Sequence, residues 1–213
     1  MFYFVKTPKW VRKLYGAGIW QMADNPKAIY LTFDDGPHPE VTPFVLDELK
    51  KYGAKASFFC VGRNVLENPA IYKRIIDEGH SVGNHTYNHL DGWKTDSAAY
   101  LADIEKARAY INSDLFRPPY GRITRTQQRN ISASIPPFNI IMWTVLSGDF
   151  DMQLSPEQCC KNVIKNTQSG SVVVFHDSEK ANERIRYALP LVLKHFSERG
   201  FLFEKIIPGN RDI

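Results

Sequence analysis

Three stretches of the chain are apolar at almost every position, and each is followed by a helix-like stretch. They are Ala28–Phe33, Ala56–Val61 and Val172–Phe175. A strand with one face in water alternates apolar and polar residues, so strands of this kind are covered on both faces. Buried strands that alternate with helices form a parallel sheet. This feature predicts an α/β fold and leaves few architectures open.

Four shorter stretches complete a predicted set of seven strands: Ser81–Gly83, Leu115–Arg117, Asn139–Trp143 and Phe201–Phe203. The predicted helices between them are Thr42–Tyr52, Val65–Glu78, Ser97–Ile111, Thr124–Ala133, Pro156–Asn166 and Arg184–Arg199. Seven strands can close, or nearly close, a barrel. We therefore expect a distorted (β/α)7-type barrel with mainly parallel strands, rather than an open doubly wound sheet.

The 213 residues are enough for one sizeable core, and no repeat or Ser/Gly-rich linker divides them, so we expect a single domain. We predict an arm over residues 1–26 that packs on the barrel, and the barrel itself over residues 27–213. The arm mixes basic and aromatic residues, which leaves open a helix lying in a membrane interface. These residues are Lys6, Lys9, Trp10, Arg12, Lys13, Tyr15 and Trp20.

Charge and composition argue against several kinds of partner. The net charge is +4, and the lysines and arginines are spread along the chain instead of facing a row of phosphates, so no nucleic-acid partner is expected. Three cysteines cannot all pair within the chain, which argues against a disulfide framework. No apolar stretch has the length of a signal-peptide core or a transmembrane segment, so we expect a cytoplasmic protein, and a monomer.

The unusual polar clusters fall just after predicted strands, not before them. In parallel α/β folds the carboxyl ends of the strands open on one shared face, so residues far apart in sequence meet there. The clustered residues are Asp34, Asp35, His85, His89, Arg117, Asp149, His176 and Asp177. The order of the clusters along the chain therefore predicts one polar site at that face.

Asp34 and Asp35 end a buried strand side by side, where two carboxylates repel each other unless a cation lies near them. His85 and His89 are four residues apart, a spacing that puts two imidazoles on one face of a helical turn and within reach of one ion. A site with two histidines and one aspartate leaves coordination positions for water and substrate, as catalytic metal sites do.

Two further clusters complete the predicted site. Arg117 begins a loop stiffened by two prolines, and its guanidinium can hold a carboxylate through two hydrogen bonds. His176 ends the buried strand Val172–Phe175, and imidazole is the side chain whose ordinary pKa lies near neutrality. Beside a metal site, this histidine is a candidate acid.

The motifs TFDDGP, HTYNH, RPPYG and VFHD resemble, in order and spacing, those of the polysaccharide deacetylases, the nodulation-deacetylase-like group of carbohydrate esterases. The resemblance covers roughly residue 27 to the C-terminus. It implies a catalytic domain that is a distorted, roughly seven-stranded barrel with one divalent metal, most often zinc, with cobalt, nickel and manganese as alternatives. The implied reaction is hydrolysis of N-acetyl groups on chitin-like or peptidoglycan-type poly- or oligosaccharides.

The resemblance also implies roles for individual residues. Asp34 resembles the general base, and Arg117 resembles the arginine that orients it. Asp35, His85 and His89 resemble the metal ligands.

On the other side of the site, His176 resembles the general acid and Asp149 the aspartate that orients it. Tyr120 resembles the residue whose backbone N–H faces the oxyanion. The expected substrate-binding residues are Pro119, Tyr120, Trp143 and Phe150.

The chain departs from the family pattern at two positions. Phe150 stands where the family usually has tryptophan, and Val174 stands where the final motif usually has leucine. Both changes keep apolar character, so they bear on the fit of the substrate and not on the reaction.

In the implied mechanism, a metal-activated water attacks the acetyl carbonyl, Asp34 takes its proton and His176 protonates the departing amine. One alternative is an esterase acting on acetylated xylan, because some relatives cleave acetyl esters. Another is a glycan-binding barrel without activity, which would normally have lost Asp34 or a metal ligand. A metal-dependent phosphate hydrolase would call for a second set of ligands, and none stands out.

Overall fold

The computed structural model describes residues 3–16, 18–22 and 25–207. The strands are β1 Ala28–Asp34, β2 Ser57–Cys60, β3 Ser81–Asn84, β4 Leu115–Phe116, β5 Asn139–Ile140, β6 Val145–Leu146, β7 Val172–His176 and β8 Leu202–Phe203. They form one sheet in the order β5-β4-β3-β2-β1-β7-β6, and β8 pairs with the start of β1. Neighbouring strands along this path are parallel. The predicted barrel-like α/β fold is confirmed.

The helices are α1 Lys9–Leu14, α2 Val41–Lys51, α3 Gly62–Glu67, α4 Pro69–Asp77, α5 Ser97–Arg108, α6 Arg125–Ser132, α7 Pro156–Asn166 and α8 Asn182–Ser197. Strands β1, β2 and β7 share the largest apolar cluster with α2, α7 and α8. Every residue of β1 is buried, as its sequence predicts. The chain's central strand is therefore fixed by packing on both faces.

The predicted helix Val65–Glu78 is wrong in one respect, because the structure has two helices there. Asn68, between α3 and α4, has φ −129° and ψ 55°, outside the helical region. Pro69 follows it and begins α4. Proline disfavours the helical conformation in the residue before it and has no N–H to continue the preceding helix, so the break lies where proline requires it.

The predicted strand Asn139–Trp143 is also shorter than expected, and β6 was not predicted. Ile140 pairs with β4, whereas Ile141 pairs with Ile19 of the N-terminal segment. The chain then reaches β6, which joins the other end of the sheet beside β7. Ile19, which pairs with Ile141 in place of β4, is remote in sequence, so no local pattern indicates where the pairing with β4 ends.

The N-terminal segment, residues 3–16 and 18–22, lies between the two ends of the sheet. Lys6 bridges to Val145 of β6 in antiparallel fashion, and Ile19 bridges to Ile141 in parallel fashion just beyond β5. Residues 1, 2, 17, 23 and 24 of the predicted arm lie outside the described residues, and the boundary at residue 26 stays a prediction. Within the described part of the chain, none of the helices is both long and apolar enough to span a bilayer.

Candidate active site

The carboxyl ends of the strands carry the polar residues that the sequence analysis singled out. Asp34 ends β1 and His176 ends β7, and the register of these two strands places the residues side by side. A cavity of about 720 Å³ opens at this end of the sheet, and Asp35, His85 and His89 line it together with Asp34 and His176. The predicted convergence is therefore present in the structure.

Asp35, His85 and His89 form a compact cluster of possible metal ligands. One ligand atom from each lies within 4.8 Å of the other two. The Asp35 Oδ1 atom is 3.1 Å from His89 Nε2 and 3.7 Å from His85 Nε2. Although burial raises the pKa of Asp35, the His89 imidazole and the other nearby histidines more than reverse this and hold it well below its ordinary value. The aspartate is therefore in the form that binds cations.

The donor atoms of the cluster suit a divalent cation. Asp35 Oδ1 is buried and accepts no hydrogen bond of good geometry from the described residues. His85 Nδ1 lies 2.7 Å from the carbonyl oxygen of Arg117, which orients the ring and leaves Nε2 facing Asp35. Burial lowers the pKa of His85 to about 4, so the ring is neutral, as a metal ligand must be. Two imidazoles and one carboxylate suit zinc and leave further positions open.

A loop, and not the predicted helical turn, brings the two histidines together. Thr86 and His89 have φ values of 63° and 57°, which no α-helix contains. The Asn84 side chain accepts from the N–H of Thr86 at 2.8 Å. The histidine rings still lie 5.1 Å apart. The expected proximity of the imidazoles is found, but the expected local structure is wrong.

Asp103 of α5 holds this loop from behind. Its Oδ2 atom accepts from the backbone N–H groups of Tyr87 and Asn88, both at 2.9 Å, and its Oδ1 accepts from the Asn88 side chain. The carboxylate is buried. A single side chain thus satisfies two backbone donors between the two histidine ligands.

We expect Asp103→Ala to weaken zinc binding by about 10- to 100-fold, because side chains that orient metal ligands typically have effects of that size. Isothermal titration of the metal-free protein with zinc measures it. Asp96→Ala is the matched control, since Asp96 caps the same helix by accepting from Ala98 and Ala99. It should reduce stability by about 1 kcal/mol with zinc affinity intact. Equal losses in both variants would contradict a role for Asp103 in holding the loop.

Asp34 lies beside the cluster and is paired with a fully buried arginine. Arg117 Nη1 lies 2.6 Å from Asp34 Oδ1 and 2.6 Å from the hydroxyl of Thr32. Its other nitrogens donate to the carbonyl oxygens of Ile141 and Met142. The predicted two-pronged grip on a carboxylate is therefore wrong, because the guanidinium divides its donors among four acceptors. Arg117 thus contacts only the Oδ1 atom of Asp34, and Asp34 also lines the cavity.

His176 is paired with Asp149 in a similar way. The His176 Nδ1 atom lies 2.7 Å from Asp149 Oδ1, and the His176 backbone N–H donates to Asp149 Oδ2 at 2.7 Å. Burial lowers the pKa of His176, but the Asp149 carboxylate more than offsets burial and raises it to about 10. At neutral pH this imidazole is protonated and lines the cavity, so it can donate a proton there.

Removal of the Asp149 charge should lower the pKa of His176. The carboxylate is the main group that raises this pKa, and the burial that opposes it remains. We expect Asp149→Asn to lower it by at least about two units. An NMR titration of the imidazole in metal-free protein measures the shift. Asp151→Asn, which removes a nearby carboxylate that does not contact His176, should leave the titration unchanged, and a shift in that variant alone would overturn the assignment.

Three of the four predicted substrate-binding residues line the cavity: Tyr120, Trp143 and Phe150. The Tyr120 ring lies 4.7 Å from the His89 ring, and the Phe150 ring lies 5.2 Å from the His176 ring. Pro119 is buried and does not line the cavity. It begins a single turn in which Tyr120 has φ 60°, and that conformation turns Tyr120 and not Pro119 to the cavity.

Asp177 was noted in the sequence without a role, and the structure gives it one. Its Oδ1 accepts from the N–H of Gly36 at 3.1 Å, and its Oδ2 accepts from the hydroxyl of Thr42. A Cβ atom on Gly36 would lie 2.0 Å from the carboxylate, so only glycine permits the approach. Burial raises the pKa of Asp177 to about 8. The residue ties the loop after Asp35 to the end of β7.

The chain is similar in sequence to a family model and to individual deacetylases. The family model described as polysaccharide deacetylase matches residues 21–135. A peptidoglycan-N-acetylglucosamine deacetylase from Bacillus cereus is 33% identical over 190 residues, which cover 86% of this chain and 88% of the relative. A chitooligosaccharide deacetylase from Azorhizobium caulinodans is 29% identical over 206 residues, covering 87% of this chain and 96% of the relative.

A solved structure agrees with the fold. The crystal structure of a peptidoglycan N-acetylglucosamine deacetylase in complex with 4-naphthalen-1-yl-N-oxidanyl-benzamide superposes with a TM-score of 0.84. It is 34% identical, and the match covers 94% of this chain and 95% of that one. Some other relatives are longer, and this chain spans 38% of the length of three of them.

Proposed function

The chain belongs to the polysaccharide deacetylase family, and on that premise we propose that it removes N-acetyl groups from N-acetylglucosamine-containing poly- or oligosaccharides by metal-dependent hydrolysis. The observation that carries the proposal is the grouping of a possible metal site, Asp35, His85 and His89, with Asp34 and His176 on one cavity. The named activities of the relatives, on peptidoglycan and on chitooligosaccharide, support an N-acetylated glycan as the substrate.

Asp34 is the proposed base. When bound to Asp35, His85 and His89, a divalent metal lowers the pKa of water and polarises a carbonyl oxygen. Asp34 sits beside these ligands and accepts the proton that the attacking water loses. Arg117 keeps the carboxylate in place through the 2.6 Å contact to its Oδ1 atom.

Tyr120 is the proposed oxyanion donor. Its ring lies 4.7 Å from the His89 ring, so the residue is adjacent to a proposed metal ligand. A backbone N–H aimed at a developing oxyanion is typically worth about 10² to 10³ in rate. The stiff loop around it, with two prolines before the left-handed Tyr120, favours a fixed donor direction.

His176 is the proposed acid. Its imidazole carries the proton that the leaving sugar amine needs, and the Asp149 contact keeps it protonated at neutral pH. An amine is a poor leaving group unless it is protonated, whereas the alcohol released from an acetyl ester needs protonation less. The Asp149–His176 pair therefore favours amide cleavage over the alternative of ester cleavage.

Acetate release with and without a chelator tests the proposal. Purified protein is incubated with chitooligosaccharides, peptidoglycan fragments and acetylxylan. We expect acetate from an N-acetylated substrate, a loss of at least about 100-fold with chelator, and recovery on addition of zinc.

The other outcomes separate the alternatives. Acetate from acetylxylan alone would identify an esterase. Normal zinc binding with no acetate from any of the three substrates would contradict a hydrolase of this specificity and favour a glycan-binding barrel.

A further inference from the structure

The N-terminal segment lines the same cavity as the proposed catalytic residues. The residues of the segment that line the cavity are Tyr3, Phe4, Thr7, Val11, Tyr15 and Trp20. All of these residues precede position 21, where the match to the family model begins. This wall of the cavity therefore lies outside the part of the chain that the family model matches, whereas the match to the superposed deacetylase, which covers 94% of this chain, includes part of it.

Ring contacts connect the segment to the proposed acid. The rings of Tyr3 and Phe150 lie 5.1 Å apart, and those of Phe150 and His176 lie 5.2 Å apart. Tyr3 is therefore two ring contacts away from His176. Tyr3 and Phe150 therefore lie side by side on the cavity wall next to the proposed acid, so a substrate that extends from the catalytic centre along this wall would contact Tyr3.

Hydrogen bonds fix the segment in this position. The N–H of Leu146 donates to the carbonyl of Val5 at 2.8 Å, and the N–H of Thr7 donates to the carbonyl of Thr144 at 2.9 Å. The hydroxyl of Tyr3 donates to Asp151 at 3.1 Å. Residues 5–7 thus form an antiparallel bridge to β6, and Tyr3 is held in addition through its hydroxyl.

The chemistry of this wall suits the face of a sugar ring. The lining residues of the segment carry no charge, and residues 3–22 contain no aspartate or glutamate. A pyranose ring has an apolar face of C–H groups that packs on aromatic rings, and aromatic residues bury large areas at little entropic cost. Four aromatic residues from other parts of the chain line the same cavity: Trp93, Tyr120, Trp143 and Phe150.

We propose that Tyr3 and Phe4 form a binding subsite for the sugar ring next to the one that loses its acetyl group. The chain then prefers N-acetylated oligosaccharides to substrates that occupy the catalytic centre alone. This inference rests on the proposed function and adds a determinant of substrate length to it.

The test compares two substrates in the holoenzyme loaded with zinc. One is the trimer of N-acetylglucosamine, which extends beyond the centre, and the other is 4-nitrophenyl acetate, which has no sugar. For Tyr3→Ala we expect KM for the trimer to rise about five- to tenfold, which corresponds to about 1 kcal/mol of lost contact. The kcat for the trimer and the rate with the aryl ester should change less than about twofold. Tyr187→Ala, a partly exposed tyrosine of α8 that does not line the cavity, is the control.

Binding measured without turnover provides a second readout. In the Asp34→Asn background, titration with the trimer should give the same five- to tenfold weakening for Tyr3→Ala and none for Tyr187→Ala. An unchanged KM and affinity would overturn the subsite. An equal loss with the trimer and the aryl ester would also overturn it, because Tyr3 would then act only through Phe150 on His176. If the wild-type protein cleaves the aryl ester but neither binds nor cleaves the trimer, the subsite is overturned, and acetate release from peptidoglycan fragments then decides the proposed function separately.

Discussion

Asp34→Asn is expected to lower acetate release by at least about 10³-fold while leaving metal content near that of the wild type. Asparagine has the shape of aspartate but cannot take a proton from water, and general-base catalysis contributes about 10² to 10⁴ in rate. Asp34 is not one of the three clustered ligands, so the metal should remain. Acetate release and elemental analysis of the same sample measure the two quantities.

A variant of the neighbouring residue supplies the contrast. Asp35→Asn removes a ligand of the cluster and should lose both metal and activity. If Asp34→Asn retained more than about a tenth of the activity, the assignment of the base would be wrong. If it lost its metal as Asp35→Asn does, the separation of base from ligand would be wrong.

Arg117→Ala should lower the free energy of unfolding by about 3 to 5 kcal/mol, the usual effect of removing one partner from a buried ion pair. Arg117 has 0% of its surface exposed and Asp34 has 3%, so the remaining carboxylate would be buried without its cation. Two backbone carbonyls and the hydroxyl of Thr32 would lose a donor as well. Urea unfolding of the metal-free proteins measures the change.

A second arginine offers a matched control. Arg122 contacts Asp91 through the same kind of single Nη1–carboxylate contact, at 2.5 Å, but its side chain is 28% exposed. Arg122→Ala should therefore lower the free energy of unfolding by about 1 kcal/mol or less. Similar losses in the two variants would mean that burial of the Arg117 pair does not govern its effect. In a double-mutant cycle, removal of both Asp34 and Arg117 should cost much less than the two single losses added.

The sequence predicted the parts of the site that local patterns determine. Asp34 and His176 end apolar strands, and a parallel sheet brings such ends to one face, so their proximity follows from the pattern. His85 and His89 were correctly expected to share a site because of their spacing. The conformation of the loop that joins them was not predicted. It depends on Asp103 of α5, and no sequence pattern near the two histidines indicates that contact.

What the sequence did not predict depends on contacts between remote residues. Thr32 lies within the otherwise apolar strand β1. The role of its hydroxyl, which accepts a hydrogen bond from Arg117, depends on a residue far away in the sequence. The single contact between Arg117 and Asp34, in place of two, follows from the carbonyls of residues 141 and 142 that take the other donors. Tyr3 and Phe4 gave no sign of belonging to the cavity, because the strand that positions them is β6, near residue 145.

The bridge between Lys6 and Val145 also has a consequence for the order of events during synthesis. Residues 5–7 leave the ribosome long before their backbone partners, residues 144–146, are made. Pairs so distant in sequence form late, because the long loop between them must close first. Asp34, Asp35, His85 and His89 precede β6 in the chain, whereas Asp149 and His176 follow it. The segments that carry the proposed metal ligands are therefore made before the aromatic wall can pair, and the proposed acid is made last.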